Sequence, residues 1–339
     1  MEEKSPTKTV FGKFFAPLKT IRYLIKHMNM LFWGVSLGPY YLTWIFTSKM
    51  VLPMEEAPSS IWDVFSLVFN WSWLSMTMSN SPELFLGFLI VGPLLGASTI
   101  LFNDYFDREP DKSIRKNKYP LVKGLLKPGT VLWVSILFMV LAMLLSLKVS
   151  YLFTVLVSIC VFLSIIYSAP PVRLKNRAGL DLLTCILGAG IICSFAGWVA
   201  AETAGYIRPL AEIFWWFFII AFGTASIYML TVVVDHDGDK KEGINTIAVR
   251  LGIKNAFYLG FLFIALADLI ILVISYNNIL FSRGFFNYAI PVIALQLIPF
   301  YILARKPTSK NGTIAIVQMG TMLVVGNTLM VLDVTGLLF

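Results

Sequence analysis

The chain has 339 residues, of which 58% are hydrophobic and 14% are charged, and its mean hydropathy is +0.78. Soluble domains carry about 25% charged residues, so this composition excludes an ordinary soluble protein and indicates a polytopic membrane protein. A net charge of +8 would suit nucleic acid, but in a membrane protein basic residues mark cytoplasmic loops, and no nucleic-acid partner is expected. The three cysteines lie in apolar runs, which argues against a disulfide framework: Cys160, Cys185 and Cys193.

The N-terminal segment 1–27 is basic and amphipathic. An apolar stripe runs beside basic side chains at helical spacing: Phe11, Phe14, Phe15, Leu18, Ile21 and Ile25 beside Lys13, Lys19, Arg22 and Lys26. This pattern predicts a helix that lies on the membrane surface. The segment has neither the apolar centre nor the small-residue cleavage site of a signal peptide, so we do not expect it to be removed.

Residues 28–339 predict an all-α domain of about nine transmembrane helices, since about 20 apolar residues cross a bilayer as a helix. The predicted spans are 28–48, 83–102, 128–148, 149–168, 179–202, 209–234, 255–278, 285–304 and 311–337. The long connection 49–82 contains a tryptophan-rich apolar stretch at 61–78. That stretch is compatible with an interfacial helix or with a tenth span.

The distribution of Lys and Arg predicts the orientation. With nine spans, the N-terminus shares one side with the loops after the second, fourth, sixth and eighth spans, and nearly all basic residues fall on that side. The opposite side receives only Lys49, Lys148, Arg208 and Arg283. The positive-inside rule therefore places the N-terminus and the polar loops in the cytoplasm and the C-terminus on the other side. A crossing at 61–78 would weaken this asymmetry.

Two acidic clusters end predicted spans on the cytoplasmic side. Asn103, Asp107 and Asp111 follow one span at intervals of four, and Asp235 and Asp239 follow another. Residues four apart share a helix face, so each cluster forms a row of oxygen ligands. Such hard ligands suit Mg²⁺, whereas two histidines and apolar cysteines do not suggest zinc. Either cluster alone is also compatible with ordinary solvated loop acids.

Basic residues accompany the acids and favour a phosphorylated ligand. Pro170 and Pro171 predict an extended turn that directs the following Arg173 and Lys175 towards the site. Acids alone would hold a metal, while added cations supply charge for diphosphate oxygens. The basic candidates beside the acids and in this loop are Lys112, Lys118, Arg173 and Lys175.

Together, the three polar loops resemble the signatures of the UbiA superfamily of intramembrane prenyltransferases. "NDYFDREPD" (103–111) matches the complete first signature, N-D-x-x-D-x-x-x-D. "YSAPPVRLK" (167–175) is similar to the middle signature, a tyrosine followed by basic residues, and "DHDGDKKEGINTIAVRLG" (235–252) is similar to the second acidic signature. The resemblance covers most of the chain after about residue 83.

The resemblance implies a Mg²⁺-dependent transfer of a prenyl group from a prenyl diphosphate to a lipophilic acceptor within the bilayer. The metal ligands would be Asn103, Asp107, Asp111, Asp235 and Asp239. The residues that bind diphosphate would be Arg22, Lys112, Lys118, Tyr167, Arg173 and Lys175. The catalytic residues would be Asp107, Asp239, Tyr167 and Lys175. Metal-assisted departure of diphosphate leaves an allylic carbocation, which the acceptor attacks.

The chain departs from the family pattern at three places. Pro110 removes a backbone donor inside the first signature, which predicts a kink before Asp111. Tyr119 stands where many members have an arginine, and the first span lacks an Arg–Pro pair that many relatives carry. These differences leave the acceptor open among aromatic, tetrapyrrole, carotenoid and lipid classes, and the donor chain length is open as well.

Two other functions are compatible with parts of the sequence. A secondary transporter for a cation or an organic anion would place acidic residues inside its spans. The candidates for that role are few: Asp181, Glu212, Asp268 and Asp333. An inactive relative that binds an isoprenoid or a quinone as a scaffold is the third hypothesis. The dense acidic clusters at helix ends favour the enzyme.

Overall fold

Helices dominate the computed structural model, which describes residues 16–29, 33–51, 53, 72–114 and 119–338. No β-strand occurs in these ranges. The α-helices are α1 (Ala16–His27), α2 (Gly34–Ser48), α3 (Ser72–Asn80), α4 (Pro82–Leu89), α5 (Ala97–Ile114), α6 (Pro128–Ser146), α7 (Tyr151–Ser168), α8 (Leu180–Cys185), α9 (Cys193–Thr203), α10 (Leu210–Lys241), α11 (Ile247–Tyr276), α12 (Phe285–Ala304) and α13 (Ser309–Val334). The predicted all-α membrane fold is confirmed.

Eight helical stretches in the described part of the chain are long and apolar enough to cross a membrane. They correspond to eight of the nine predicted spans. The remaining prediction, 28–48, falls on α2, whose 15 residues are fewer than the roughly 20 that a crossing requires. Most of the stretch at 61–78 lies outside the described residues, and its end belongs to α3.

Two of the long helices contain a π-helical turn. Residues Ile90–Gly96 join α4 to α5, and residues Ile186–Ile192 join α8 to α9, without a break in the helix. Pro93 lies in the first of these turns, where the wider backbone accommodates a residue that has no N–H to donate. Such bulges often occur at functional sites, and both line the cavity described below.

Close packing between α2 and α9 fixes one wall of that cavity. A Cβ atom at Gly197 would lie 2.0 Å from the carbonyl oxygen of Tyr40, so only glycine allows this approach. Tyr40 is fully buried, as are Trp44 and Phe46 one and two turns further along α2. Although α2 is short, it is therefore an integral part of the bundle.

The described part of the N-terminal segment is amphipathic, as predicted. On α1, Leu24 and His27 are buried against the bundle, whereas Leu18, Ile21 and Ile25 form an exposed apolar stripe. Lys19, Arg22 and Lys26 are exposed beside it. The predicted stripe residues before Ala16 lie outside the described residues. Contact of α1 with the membrane surface stays a prediction.

Candidate active site

The middle loop folds over the first acidic signature. Lys175 Nζ donates hydrogen bonds to Asn103 Oδ1, at 2.8 Å, and to Asp107 Oδ1. The hydroxyl of Ser168, at the end of α7, donates to the same Asn103 oxygen at 3.2 Å. The helix end that carries the acids and the loop that carries the bases therefore meet, as the sequence predicted.

Arg173 reaches the same carboxylate. Its Nη2 donates to Asp107 Oδ1 at 3.1 Å. The backbone of Arg173 has a φ of 40°, in the left-handed region that is unfavourable for a residue with a side chain. The ion pair with Asp107 helps to hold the loop in this conformation after Pro171.

Lys175 is a buried cation, with only 6% of its surface exposed. Burial lowers its pKa below the usual value, and the neighbouring Asp107 carboxylate acts in the opposite direction. A buried charge is tolerable only when a partner compensates it. The pairing with Asp107 provides that compensation and makes the two side chains depend on each other.

The second acidic signature ends α10 and lines the same cavity through Asp235 and Asp239. Asp239 Oδ2 accepts a hydrogen bond from the Thr246 hydroxyl at 3.3 Å. Thr246 also caps α11, because its Oγ1 accepts from the Val249 N–H. A backbone contact links this region to the middle loop, since the Asn245 N–H donates to Asn176 Oδ1 at 2.6 Å.

Asp181 connects the middle loop to the helices of the second signature. Its carboxylate is fully buried. One oxygen accepts from the Gly179 N–H at 2.7 Å, and the other accepts from the Tyr228 hydroxyl at 3.0 Å and the Ile247 N–H at 2.8 Å. Three donors satisfy the buried charge. The sequence shows Asp181 only as an acid near the start of a span, and its role as a junction depends on the tertiary structure.

One cavity of about 930 Å³ joins these groups. Its polar end is lined by Asn103, Asp104, Asp107, Tyr167, Lys175, Asp235 and Asp239. Tyr167 lies there beside Tyr228 and Cys185. From this end the cavity continues into the bundle between α2, the two π-helical turns and helices α10 to α13, where most lining residues are apolar. The arrangement suits a ligand with an anionic head and an apolar chain.

The donor set fits Mg²⁺. The Lys175 ammonium already lies against the Asn103 and Asp107 oxygens, so this position accepts a positive charge. Among the described side chains, no three acids, histidines or cysteines come close enough to enclose a metal by themselves. Mg²⁺ does not require such a cage, because it binds through one or two carboxylates together with phosphate oxygens and water.

Several predicted site residues are not tested by this geometry. The side chains of Asp111 and Lys112, and all of Lys118, lie outside the described structure. Arg22 is exposed on α1 and is not among the cavity-lining residues. Helix α5 continues past Pro110 to Ile114, so the proline does not end the helix. The roles of these residues stay predictions.

A histidine that the sequence did not single out lies next to the first signature. His27 Nε2 is 3.4 Å from Asp104 Oδ2, and the His27 ring contacts the edge of Tyr119. His27 has no exposed surface, and burial lowers its pKa to about 4. The imidazole is therefore neutral at pH 7, and its contact with Asp104 packs α1 against the helix that carries Asn103.

Comparison with known proteins agrees with this arrangement. The model of the UbiA prenyltransferase family matches residues 61–322, which is most of the chain. The chain belongs to the UbiA prenyltransferase family. It is thus an enzyme, a multi-pass membrane prenyltransferase, and the transporter and scaffold hypotheses are not supported.

Individual members differ widely from this chain. The digeranylgeranylglyceryl phosphate synthase of Sulfolobus acidocaldarius is 26% identical over 259 residues, which cover 74% of this chain and 87% of the relative. The chloroplastic 2-acylphloroglucinol 4-prenyltransferase of Humulus lupulus is 30% identical over 198 residues, or 53% of this chain and 46% of that protein. The two relatives have different acceptors in their names, so similarity alone does not select one.

The fold matches solved structures over nearly its whole length. A UbiA homologue from Archaeoglobus fulgidus bound to DMAPP and Mg²⁺ has a TM-score of 0.65 at 18% identity and covers 91% of this chain and 97% of its own. A digeranylgeranylglyceryl phosphate synthase has a TM-score of 0.63 at 15% identity, with 94% and 99% covered. At these identities the likeness concerns the fold alone.

Proposed function

We propose that this UbiA-family enzyme binds a prenyl diphosphate and Mg²⁺ at the polar end of the cavity and transfers the prenyl group to a lipophilic acceptor. One observation carries the proposal: oxygen ligands, the buried Lys175 cation and an apolar channel are continuous in a single cavity. The diphosphate head needs the oxygen ligands, which hold Mg²⁺, and the cation, and its isoprenoid chain needs the apolar channel. The Mg²⁺-bound fold neighbour is consistent with this assignment.

In this proposal Asn103, Asp107, Asp235 and Asp239 hold the metal, together with Asp111. When bound, Mg²⁺ supplies positive charge that stabilises the diphosphate as it leaves. Lys175 and Arg173 now donate to Asp107, and in the presence of substrate their N–H groups turn to the phosphate oxygens. The protein cations are therefore already beside the position that the anion would take, although they exchange partners when it binds.

Tyr167 would hydrogen-bond the diphosphate from the opposite wall of the polar end. Its neighbour Tyr228 is anchored to Asp181, which limits the movement of that wall. Beyond the polar end, the apolar walls exclude water from the allylic cation until the acceptor attacks. The positions of these residues around the cavity support the proposed roles.

The membrane orientation follows from the loop charges. We infer that the polar end of the cavity faces the cytoplasm and that the C-terminus lies on the opposite side. The basic side chains on α1 would then lie against anionic lipid headgroups, with its exposed apolar stripe in the interface. The donor and the acceptor would both enter from the bilayer.

The properties of the cavity restrict the acceptor only to broad chemical classes. An acceptor must be apolar enough to enter from the membrane and must carry a nucleophilic carbon or oxygen that reaches the polar end. Aromatic, tetrapyrrole, carotenoid and lipid acceptors meet this requirement. The relatives named above, whose names include an acylphloroglucinol and a glyceryl phosphate, lie within these classes.

The test uses the purified full-length protein in lipid nanodiscs. Geranyl, farnesyl and geranylgeranyl diphosphate are each combined with a panel of one acceptor from each class. Release of diphosphate and the mass of the product are then measured with Mg²⁺ and with EDTA. We expect a prenylated product for at least one combination and none with EDTA. Metal-independent release, or no product from any combination, would contradict the proposal.

A further inference from the structure

A polar pair lies deep in the membrane part of the bundle, on helices that carry none of the acidic residues of the two signatures. Asp268 of α11 is 5% exposed, and Gln296 of α12 is 4% exposed. Gln296 Nε2 donates to both carboxylate oxygens of Asp268, at 3.4 and 3.3 Å. An acidic side chain inside a membrane span is costly and usually serves a ligand or a transported group.

The pair is far from the polar end of the cavity. The Ser226 hydroxyl donates to the Gly260 carbonyl at 2.7 Å and so fixes the register of the antiparallel helices α10 and α11. This register places Asp268 level with the first third of α10, near Trp216 and Ile219. At 1.5 Å per residue, that level is about 25 Å along α10 from Asp235. Diphosphate bound at the acids cannot reach it.

The same cavity nevertheless extends to the pair. Asp268, Gln296 and Asn327 of α13 all line it, between apolar residues of α10, α11 and α13. Within the described chain, Asp268 accepts hydrogen bonds only from Gln296, the side-chain oxygen of Gln296 accepts none, and the side chain of Asn327 makes none. Ser226 also contacts Met319 of α13, so Asn327, eight residues beyond Met319, is level with Asp268, eight residues beyond Gly260. Three polar side chains thus line one level of the cavity with unused donors and acceptors. A pair that only joined two helices would not require this opening.

We propose that Asp268, Gln296 and Asn327 form a second recognition site, which binds a hydroxyl group at the remote end of an apolar chain that fills the cavity. A hydroxyl donates to the carboxyl oxygen of Asp268 and accepts from an amide N–H of Gln296 or Asn327, so it uses both kinds of group. A hydrocarbon end would leave them without partners, and an anionic end would have no basic side chain to pair with among the residues that line this part of the cavity. The chain belongs to either the donor or the acceptor.

This inference rests on the proposed function for the position of the reacting end. The test measures binding to the full-length protein in nanodiscs in the presence of Mg²⁺. The first arm compares farnesyl and geranylgeranyl diphosphate with the same molecules hydroxylated at the terminal isoprene. The second arm compares alcohols of the same chain lengths with the corresponding terminal diols, each in the presence of unsubstituted donor.

We expect the hydroxylated probe to bind about tenfold more tightly, or better, at one chain length in one arm, because a site that hydrogen-bonds a hydroxyl discriminates strongly against its absence. A preference in the first arm identifies the donor, and a preference in the second identifies the acceptor. Equal or weaker binding of the hydroxylated probes in both arms would overturn the inference, and would show a site filled by water or used only in packing.

Variants assign the preference to these residues. In Asp268→Leu the ratio of the two affinities should fall to about one, whereas Asp268→Asn keeps an acceptor oxygen and part of the preference. Asn327→Leu breaks no hydrogen bond within the described structure, so it tests the site with a smaller expected effect on the fold than Asp268→Leu. An unchanged ratio in both Leu variants would overturn the assignment. Diphosphate release from unsubstituted donors reports on the proposed function separately.

Discussion

The two acidic signatures have the same spacing in the sequence but are held in different ways. Asp107 is fixed through ion pairs with Lys175 and Arg173, which come from the middle loop. The helix ends around Asp235 and Asp239 are fixed through hydrogen bonds from Thr246 to Asp239, from Asn245 to Asn176 and from Ile247 to Asp181. The ion pairs of Asp107 join the first half of the site to the middle loop, and hydrogen bonds made by residues 245–247 join the second half to that loop and to Asp181.

This difference has a consequence for ligand binding. Ion pairs rearrange when a competing ion arrives, whereas hydrogen bonds from uncharged donors, such as the N–H groups of Asn245 and Ile247, are less affected. The first signature is therefore the half of the site whose contacts must change when metal and diphosphate bind. The second signature provides the fixed half. The predictions below test this division, from the largest expected effect to the smallest.

Removing one carboxylate from each half should have the largest effect. We expect Asp107→Asn and Asp239→Asn each to lower kcat/KM for diphosphate release by at least about 100-fold, because each variant loses a charge that holds the metal against the leaving group. Asp237→Asn is the matched control on the same helix end, since its side chain is 73% exposed. Turnover near the wild-type level in either of the first two variants would refute the two-signature site.

Replacing Lys175 should show whether the first half of the site exchanges its partners when metal binds. In Lys175→Met we expect Mn²⁺ alone to bind severalfold more tightly, because the ammonium no longer competes for Asn103 and Asp107. We also expect kcat/KM to fall by about 10- to 100-fold, since one diphosphate contact is lost. Electron paramagnetic resonance of Mn²⁺ measures the first effect. The exposed Lys123→Met serves as the control; equal Mn²⁺ affinity in both variants would contradict the exchange of partners.

Replacing Asp181 should change the free energy of unfolding more than it changes the charge of the metal site. Asp181→Asn loses at least one acceptor for three buried donors, so we expect a loss of about 1–3 kcal/mol of folding free energy. Tyr228→Phe removes one of these bonds and should cost less. Thermal unfolding in nanodiscs compares the two variants. If Asp181→Asn were as stable as the wild type, the junction would not hold the second signature.

The smallest effect concerns the contact between α1 and α5. The pKa of His27 is lowered to about 4, against 6.5 for a free histidine, so the unfolded chain binds a proton more readily than the folded protein. Acidification from pH 7 to pH 5 should therefore cost up to about 2 kcal/mol through this residue. His27→Phe should lose less stability than the wild type over the same interval. An identical loss, measured by thermal unfolding at both pH values, would contradict this assignment.

Much of the site could be predicted from the sequence because its signals are local. The apolar runs predicted the spans, and the intervals between Asn103, Asp107, Asp235 and Asp239 predicted two ligand rows at helix ends. The basic loop after Pro171 was expected near the acids, and it is. The predicted span at 28–48 corresponds to the 15-residue α2, whose place in the bundle depends on contacts with other helices, such as the close approach of Gly197 to Tyr40.

Other features depend on which helices become neighbours. In the sequence, Asp268 is an isolated acid within a span, and only the folded structure places Gln296 of α12 against it. The sequence likewise does not show that α10 and α11 provide the hydrogen-bond donors of Asp181. Likewise, only the folded chain brings His27 to Asp104. Composition and periodicity by themselves predicted a polytopic membrane protein with two acidic helix ends, and the resemblance of its three polar loops to the UbiA signatures predicted the enzyme. The tertiary structure decided which charges are paired and where the cavity ends, because those contacts join residues that are far apart in the chain.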